Sequence, residues 1–192
     1  MLTNILAKIN WIDVVMVVIV LRIIFIGLKA GFITEGFKLL GTIFSVFIIL
    51  HYYLAVGKLF PEKLNFSKAW IYAISFSLLW ILVTFIFKLI RDGLLLIFSI
   101  ETQKQVDRWG GGVLSSARAL IVCGLAFYLF ILIGIGSPQR MAKNSISRRC
   151  FSEVAAGVYS MIYYGLVSKF FPDEKINNEA LSVPQLLFDK KI

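Results

Sequence analysis

Four long runs of apolar residues, separated by shorter polar stretches, dominate the hydropathy pattern of this chain. They cover about residues 12–28, 37–56, 69–90 and 119–136. A helix needs roughly 17–25 predominantly apolar residues to cross a bilayer, and each run falls within that range. The pattern therefore predicts an all-α membrane protein, with four transmembrane helices forming one unit over residues 1–140.

The first run also has the position of a signal peptide, but its composition favours a retained anchor. Its apolar core is longer than the hydrophobic region of a typical signal peptide, and Arg22 interrupts it. No cleavage site of small residues follows. We therefore count this run as the first membrane span.

The chain beyond residue 140 has a different pattern. Its apolar residues recur at close to four-residue spacing, as on one face of a helix, at Ile146, Cys150, Val154, Val158, Ile162, Leu166 and Phe170. The uninterrupted apolar part is too short to span a bilayer. We expect an amphipathic interfacial helix over residues 141–171 and a polar, flexible tail over residues 172–192.

Composition agrees with membrane insertion. Hydrophobic residues make up 59% of the chain and charged residues 16%, against about 25% charged in ordinary soluble domains. The net charge of +9 suits loops beside an anionic leaflet, and no basic helix or aromatic-studded sheet pattern indicates nucleic-acid binding. Basic residues are divided almost evenly between the two predicted faces, so the positive-inside rule leaves the orientation open.

The connection between the first two spans concentrates small and charged residues. Gly27 and Gly31 make a groove for close backbone approach, and glycine also suits a turn with positive φ. This composition favours a tight hairpin of the first two spans. Such a hairpin brings Arg22, which lies deep in the first span, close to Glu35. Two hypotheses stay open, an Arg22–Glu35 ion pair or two independent interfacial charges.

The longest interior connection, residues 91–118, holds the second group of charges. We expect a helix along the surface that re-enters the bundle at Trp109. Asp107 and Arg108 most simply cap the helix that enters the membrane, with the aspartate near its positive end. Arg118 stands just before the fourth span and could pair with Glu35 or Asp107, or bind a lipid phosphate.

No catalytic or metal-binding constellation is evident in the sequence. Cys123 lies in an apolar run and Cys150 in the polar tail, so their contexts argue against a disulfide. The single histidine, His51, ends a span beside two tyrosines, which favours an interfacial role over a ligand or base. No nucleophile-elbow or zinc-protease motif occurs. We expect no cofactor and no enzymatic activity.

The order and spacing of several loose motifs resemble the CvpA family, the colicin V production proteins of bacterial inner membranes. The resemblance covers roughly residues 9–140. It is carried by Trp11-x-Asp13, Gly27-x-x-x-Gly31-Phe32-x-x-Glu35, Gly41, Val106-Asp107-Arg108-x-x-Gly111 and Arg118. The chain departs from the family pattern at Ser115 and Ala119, where the family usually has glycine. Both residues are small, so close packing is preserved.

The resemblance implies four membrane spans and an accessory role in toxin production or export, with links to envelope maintenance. We expect a non-enzymatic scaffold or regulator in the inner membrane that contacts the bilayer and either protein partners or copies of itself. The alternative is a small transporter or channel subunit that uses intramembrane charges. The candidate functional or structural residues are Asp13, Arg22, Gly27, Gly31, Glu35, Asp107, Arg108, Gly111 and Arg118.

Overall fold

The computed structural model describes residues 10–60, 67–97, 104–133 and 147–184, and every element in these ranges is helical. Four long helices come first: α1 (Trp11–Ala30), α2 (Phe32–Gly57), α3 (Lys68–Ile97) and α4 (Lys104–Ile133). All four are long and apolar enough to cross a membrane, which confirms the predicted spans. The end of the fourth predicted span and the predicted boundary at residue 140 lie outside the described residues.

Local sequence sets the ends of the first two helices. A capping box starts α1, in which the Asn10 side chain accepts from the backbone and the Asp13 side chain accepts from the Asn10 backbone N–H. A single residue, Gly31, then separates α1 from α2 with φ +86° and ψ 165°. This region of backbone space is essentially restricted to glycine, so Gly31 provides the predicted positive-φ turn.

Helix α1 packs mainly on α4 and contacts α2 only weakly, whereas α2 packs on both α3 and α4. Helices α1 and α4 run antiparallel along their length. Trp11 meets Phe130 edge to face at one end, and Gly27 faces Ser115 near the other. The predicted tight hairpin of the first two spans is therefore wrong. The small residues of α1 face α4 instead, because α4 carries small residues at matching positions.

The core lies where α2, α3 and α4 meet, toward the end of the bundle remote from Gly31. It includes the fully buried side chains of Tyr53, Phe76 and Tyr128. Phe76 stacks on Tyr128 with ring centroids 5.6 Å apart, and Tyr53 lies edge-on to both rings. Such aromatic pairs add to the free energy gained by burying their area.

The connection over residues 91–118 differs from the surface helix that the sequence predicts. Helix α3 continues to Ile97 and α4 already begins at Lys104, so most of this region extends the two long helices. Trp109 is 75% exposed on the first part of α4 and does not insert into the bundle. Residues 98–103, between the two helices, lie outside the described residues.

Short helices follow the bundle: α5 (Ser147–Phe151), α6 (Val154–Ile162), a π-helical turn (Tyr163–Val167) and α7 (Ser168–Phe170). An amphipathic interfacial helix was predicted here, and the structure has a helical segment that is divided into these short elements. Its buried apolar side chains are Phe151, Ala155, Tyr159, Ile162 and Tyr163. Ile162 of the predicted stripe is therefore buried, whereas Leu166 and Phe170 are exposed. Two of the buried side chains are tyrosines, whose hydroxyls can form hydrogen bonds.

The prediction of a flexible tail is wrong for residues 172–184. A further short helix, α8 (Asn178–Ser182), is docked on the bundle and buries Ala180 completely. The Tyr128 hydroxyl donates a hydrogen bond to the Ala180 carbonyl at 3.1 Å. Asn177 caps α8 and donates its side-chain amide to the Leu50 carbonyl. Residues 185–192 of the predicted tail lie outside the described residues.

Candidate functional site

The end of the bundle that carries the Gly31 turn gathers most of the candidate residues. The turn and the first part of α4 come together there, although they are distant in sequence. The residues brought together are Gly27, Gly31, Glu35, Asp107, Gly111 and Arg118. Asp13 lies at the opposite end, and Arg22 and Arg108 are exposed.

Close backbone contact joins α1 to α4, and we call its residues the α1–α4 junction: Gly27, Gly31, Asp107, Gly111 and Ser115. A methyl group added at Gly111 would stand 2.6 Å from the Gly27 carbonyl oxygen and 3.1 Å from the Gly31 carbonyl carbon. A methyl group at Gly27 would overlap the Ser115 side chain. The expected glycine groove is therefore present, and it receives α4. The Ser115 hydroxyl donates a hydrogen bond to the Gly112 carbonyl at 2.9 Å.

The Asp107 carboxylate holds the start of another helix. The backbone N–H of Phe32, the first residue of α2, donates to Asp107 Oδ1 at 2.6 Å. The same carboxylate fills the space that a Cβ at Gly31 would need. Asp107 also lies in the first turn of α4, as predicted, but the structure adds a role as cap of α2. Gly31 has no side chain that could cap this helix end, and Asp107 provides an acceptor from another helix.

Glu35, Lys38 and Arg118 form an ion cluster between α2 and α4. The Glu35 side chain is completely buried; its Oε1 accepts from Lys38 Nζ at 2.6 Å, and its Oε2 lies 2.9 Å from Arg118 Nη2. The hypothesis of an Arg22–Glu35 pair is therefore wrong, and Arg22 is exposed on α1. The predicted alternative partner of Glu35, Arg118, is the one found. Helix α1 packs on α4 and contacts α2 only weakly, so Arg22 does not pair with Glu35 in the first turn of α2.

The contact of Arg118 with Glu35 is an ion contact without good hydrogen-bond geometry. Glu35 Oε2 and Arg118 Nε are both buried, and neither has a hydrogen-bond partner among the described residues. The opposite charges are nevertheless only 2.9 Å apart, which is close enough for strong attraction in a medium of low polarity. One carboxylate between two cations leaves the ion cluster with a positive charge.

A cavity of 330 Å³ opens beside the ion cluster, between α2, α3 and α4. We call it the cationic cavity because four basic side chains line it, together with hydroxyl and aromatic groups; the four are Lys38, Lys88, Arg91 and Arg118. Of these four residues, only Arg118 was a candidate from the sequence. A signal was present, since Lys88 and Arg91 are three residues apart and so share a helix face.

Asp13 performs a related task at the other end of the bundle. Besides its part in the α1 capping box, its Oδ1 accepts from the Ser147 backbone N–H at 2.8 Å and from the Ser147 hydroxyl at 2.6 Å. The carboxylate is 7% exposed and holds the first residue of α5. No partner of Asp13 could be predicted from the sequence, because the contact spans more than one hundred residues and leaves no local pattern.

A polar chain docks the C-terminal segment on α2. The Tyr159 hydroxyl lies 3.0 Å from His51 Nδ1, and His51 Nε2 lies 2.7 Å from Glu174 Oε1. The Asn177 N–H donates to the Tyr159 oxygen at 2.9 Å. Burial raises the pKa of Tyr159, so its hydroxyl stays protonated and can donate to His51. His51 then donates from Nε2 to the carboxylate, which assigns a contact role to the single histidine.

Comparison with known proteins agrees with this architecture. The family described as Colicin V production protein matches residues 12–178, which is most of the chain. The chain therefore belongs to the Colicin V production protein family. No curated protein and no solved structure matches the chain. Together with the four apolar helices, this membership identifies a multi-pass membrane protein whose family is associated with toxin production.

Proposed function

We propose that this member of the Colicin V production protein family is a non-enzymatic accessory protein of the bacterial inner membrane. It supports toxin production or export and envelope maintenance by scaffolding or regulating protein partners or further copies of itself. The family match and the four apolar helices support the membrane setting and the link to toxin production. The contacts of the candidate residues support the scaffold role.

The observation that carries the scaffold role is that the candidate carboxylates bind other helices. Asp107 holds the start of α2, and Glu35 is fully buried with its two oxygens directed at Lys38 and Arg118. A carboxylate that binds or moves a solute needs access to it, and Glu35 has none. These charges therefore suit a protein that maintains a defined bundle.

Complementation of a deletion strain under envelope stress tests this proposal when membrane protein levels are measured in parallel. Glu35→Gln leaves the partly buried cations Lys38 and Arg118 without this counter-charge, and removing one partner of a buried pair costs about 3–5 kcal/mol. We expect low abundance and failed complementation. The double variant Glu35→Gln with Arg118→Gln removes one uncompensated cation. Protein abundance and complementation should therefore both recover partly, and in parallel. The matched control is Glu179→Gln at an exposed position.

The decisive comparison is activity at equal abundance. A scaffold maintained by the ion cluster predicts that complementation follows the amount of folded protein in every variant. If the double variant accumulates to the wild-type level but does not complement, the charges act in a function of their own and the proposal is contradicted.

A small transporter or channel subunit is the second candidate, and the cationic cavity favours it. Basic side chains within a membrane bundle are candidates for a solute path. Purified protein in liposomes tests this alternative. Reproducible anion flux that Lys88→Gln abolishes, while Lys58→Gln outside the cavity does not, would replace the scaffold with transport.

A further inference from the structure

In the part of the chain that the structure describes, the cationic cavity has more positive charge than its neighbours neutralise. Two described carboxylates contact its four basic side chains: Glu35 binds Lys38 and Arg118, and Asp92 binds Arg91. Among the described residues this leaves a surplus of two positive charges. Lys38, Arg91 and Arg118 are partly buried and Lys88 is exposed, and an anion that shared the space would offset the cost of holding these charges in a membrane bundle.

Arg118 presents the donors that an anion would use. Its Nη2 faces Glu35, whereas its buried Nε has no hydrogen-bond acceptor among the described residues. Guanidinium groups bind phosphate through paired N–H donors, and lysines add strongly attracting point charges. Thr42 and Thr84 also line the cavity, although the Thr42 hydroxyl already donates to the Lys38 carbonyl. The lining therefore suits an oxyanion such as a phosphate ester.

An apolar groove adjoins the cavity on the outer side of α3. It has a volume of 420 Å³ and is lined by Trp80, Ile81, Thr84, Phe85 and Lys88. Trp80, Thr84 and Lys88 line both spaces, so the groove leads into the cavity. A ligand that occupied both would carry a charged group at one end and a hydrocarbon chain at the other.

Position along the bundle fits the same ligand. Lys38 lies in the second turn of α2, and Lys88 and Arg91 lie in the later part of α3, so the cavity occupies the half of the bundle near the Gly31 turn. The groove is lined by residues further toward the middle of α3. Headgroups occupy the outer part of a leaflet and acyl chains its interior, which matches this arrangement.

From these observations we propose that the cationic cavity binds the phosphate headgroup of an anionic phospholipid whose acyl chain lies along the α3 groove. The volume of 330 Å³ lies at the lower end of the range of roughly 300–1,000 Å³ for ligand pockets, enough for a compact headgroup. This proposal is independent of the scaffold role, because lipid binding can be measured with the purified protein alone.

Fluorescence quenching of Trp80 by brominated lipid tests the site directly. The full chain is prepared with Trp11, Trp70 and Trp109 replaced by phenylalanine, so that Trp80 is the remaining tryptophan. It is placed in phosphatidylcholine vesicles with a small fraction of brominated phosphatidylglycerol or brominated phosphatidylcholine. We expect the anionic lipid to quench Trp80 more strongly at equal mole fraction, with a relative affinity about tenfold higher.

Variants at the outer cavity avoid the buried ion cluster. Lys88→Gln with Arg91→Gln removes two cations that do not contact Glu35, and we expect the preference for the anionic lipid to disappear. Lys58→Gln with Lys169→Gln is the matched control, because both lysines are exposed and lie outside the cavity. Circular dichroism of each variant confirms that the helices remain.

Three results would overturn the proposal. Equal quenching by the two brominated lipids would mean that the headgroup charge is not recognised. An unchanged preference in the outer-cavity variant would place the lipid elsewhere. If millimolar inorganic phosphate removed the preference while the vesicle surface charge stayed constant, the occupant would be a free phosphate ion instead of a lipid.

Discussion

Substitution of Gly111 by alanine measures how closely α1 and α4 approach. The added methyl carbon would stand 2.6 Å from the Gly27 carbonyl oxygen, whereas unstrained carbon–oxygen contacts are about 3.3 Å or longer. It would also stand 3.1 Å from the Gly31 carbonyl carbon. Both neighbours are backbone atoms and cannot rotate away, so the helices must separate by several tenths of an ångström.

The magnitude follows from two opposing terms. Overpacking of a close contact costs about 1–3 kcal/mol, and the rigid neighbours of Gly111 favour the upper end of that range. Alanine in place of glycine within a helix regains about 1 kcal/mol. We expect a net loss of about 2 kcal/mol in the free energy of unfolding. For a chain of this size the loss corresponds to a fall of about 4–8 °C in Tm.

Two other glycines provide matched controls. A methyl group at Gly93 in α3 meets nothing within 4 Å, so Gly93→Ala should raise stability by about 0.5–1 kcal/mol. A methyl group at Gly112 meets the end of the flexible Leu28 side chain at 2.7 Å. The stability of the Gly112→Ala protein should therefore lie between those of the Gly93→Ala and Gly111→Ala proteins.

The assay is thermal unfolding of the purified full chain in a mild detergent, followed by circular dichroism. The expected order of Tm is Gly93→Ala highest, then Gly112→Ala, then Gly111→Ala. A Gly111→Ala protein as stable as the wild type would refute close backbone contact at the α1–α4 junction. A fall of equal size for all three variants would also refute it, because the cost would then not depend on the neighbouring atoms.

Three further predictions concern the side chains that join distant parts of the chain. Asp107→Ala should destabilise the bundle by about 0.5–2 kcal/mol through loss of the α2 cap. Asp107→Asn keeps an acceptor oxygen and should lose less stability. Equal Tm values for the two variants would argue against capping. Asp13→Ala removes both bonds to Ser147, so amide hydrogen exchange in α5 should accelerate while that in α3 stays unchanged. His51→Ala should accelerate exchange in α8 and Lys169→Ala should not; exchange that stays slow in the His51 variant would contradict the docking role of the polar chain.

The four membrane spans could be predicted because apolar run length reports directly on the ability to cross a bilayer. Helix ends were harder to place. The apolar stretch after Arg91 continues α3 to Ile97, and the polar residues before Trp109 begin α4. A helix can extend beyond the hydrocarbon layer with polar residues in its sequence, so a change in polarity marks the membrane boundary and not the helix end.

The pairing of helices could not be obtained from the sequence. The glycine groove of α1 was evident from Gly27 and Gly31, but several segments offer small residues as partners. The matching stripe on α4 is Gly111 and Ser115, which repeat the same four-residue spacing. Periodicity identifies a face that can pack closely, whereas the choice between partners depends on the whole bundle. The Arg22–Glu35 hypothesis was wrong for this reason.

The C-terminal segment illustrates the same limit. Its helical periodicity was visible and predicted an amphipathic interfacial helix with Val158 and Phe170 on the apolar stripe. The periodicity did not predict that Tyr159 and Tyr163 face the bundle, where their hydroxyls meet His51 and the Glu174 carbonyl. Tyrosine has a large apolar area and a polar tip, so it is suited to a contact that is mostly dry but includes hydrogen bonds.

Two of the candidate residues, Asp13 and Asp107, have parallel roles at opposite ends of the bundle. Each lies in the first turn of its own long helix and accepts the first N–H of a different helix. Each therefore holds the start of one helix against a second helix that is distant in sequence. Carboxylates repel anions, so an anion would have to be bound by the basic residues of the cationic cavity. Two of these, Lys38 and Arg118, also bind Glu35, so the cavity and the contact between α2 and α4 share side chains.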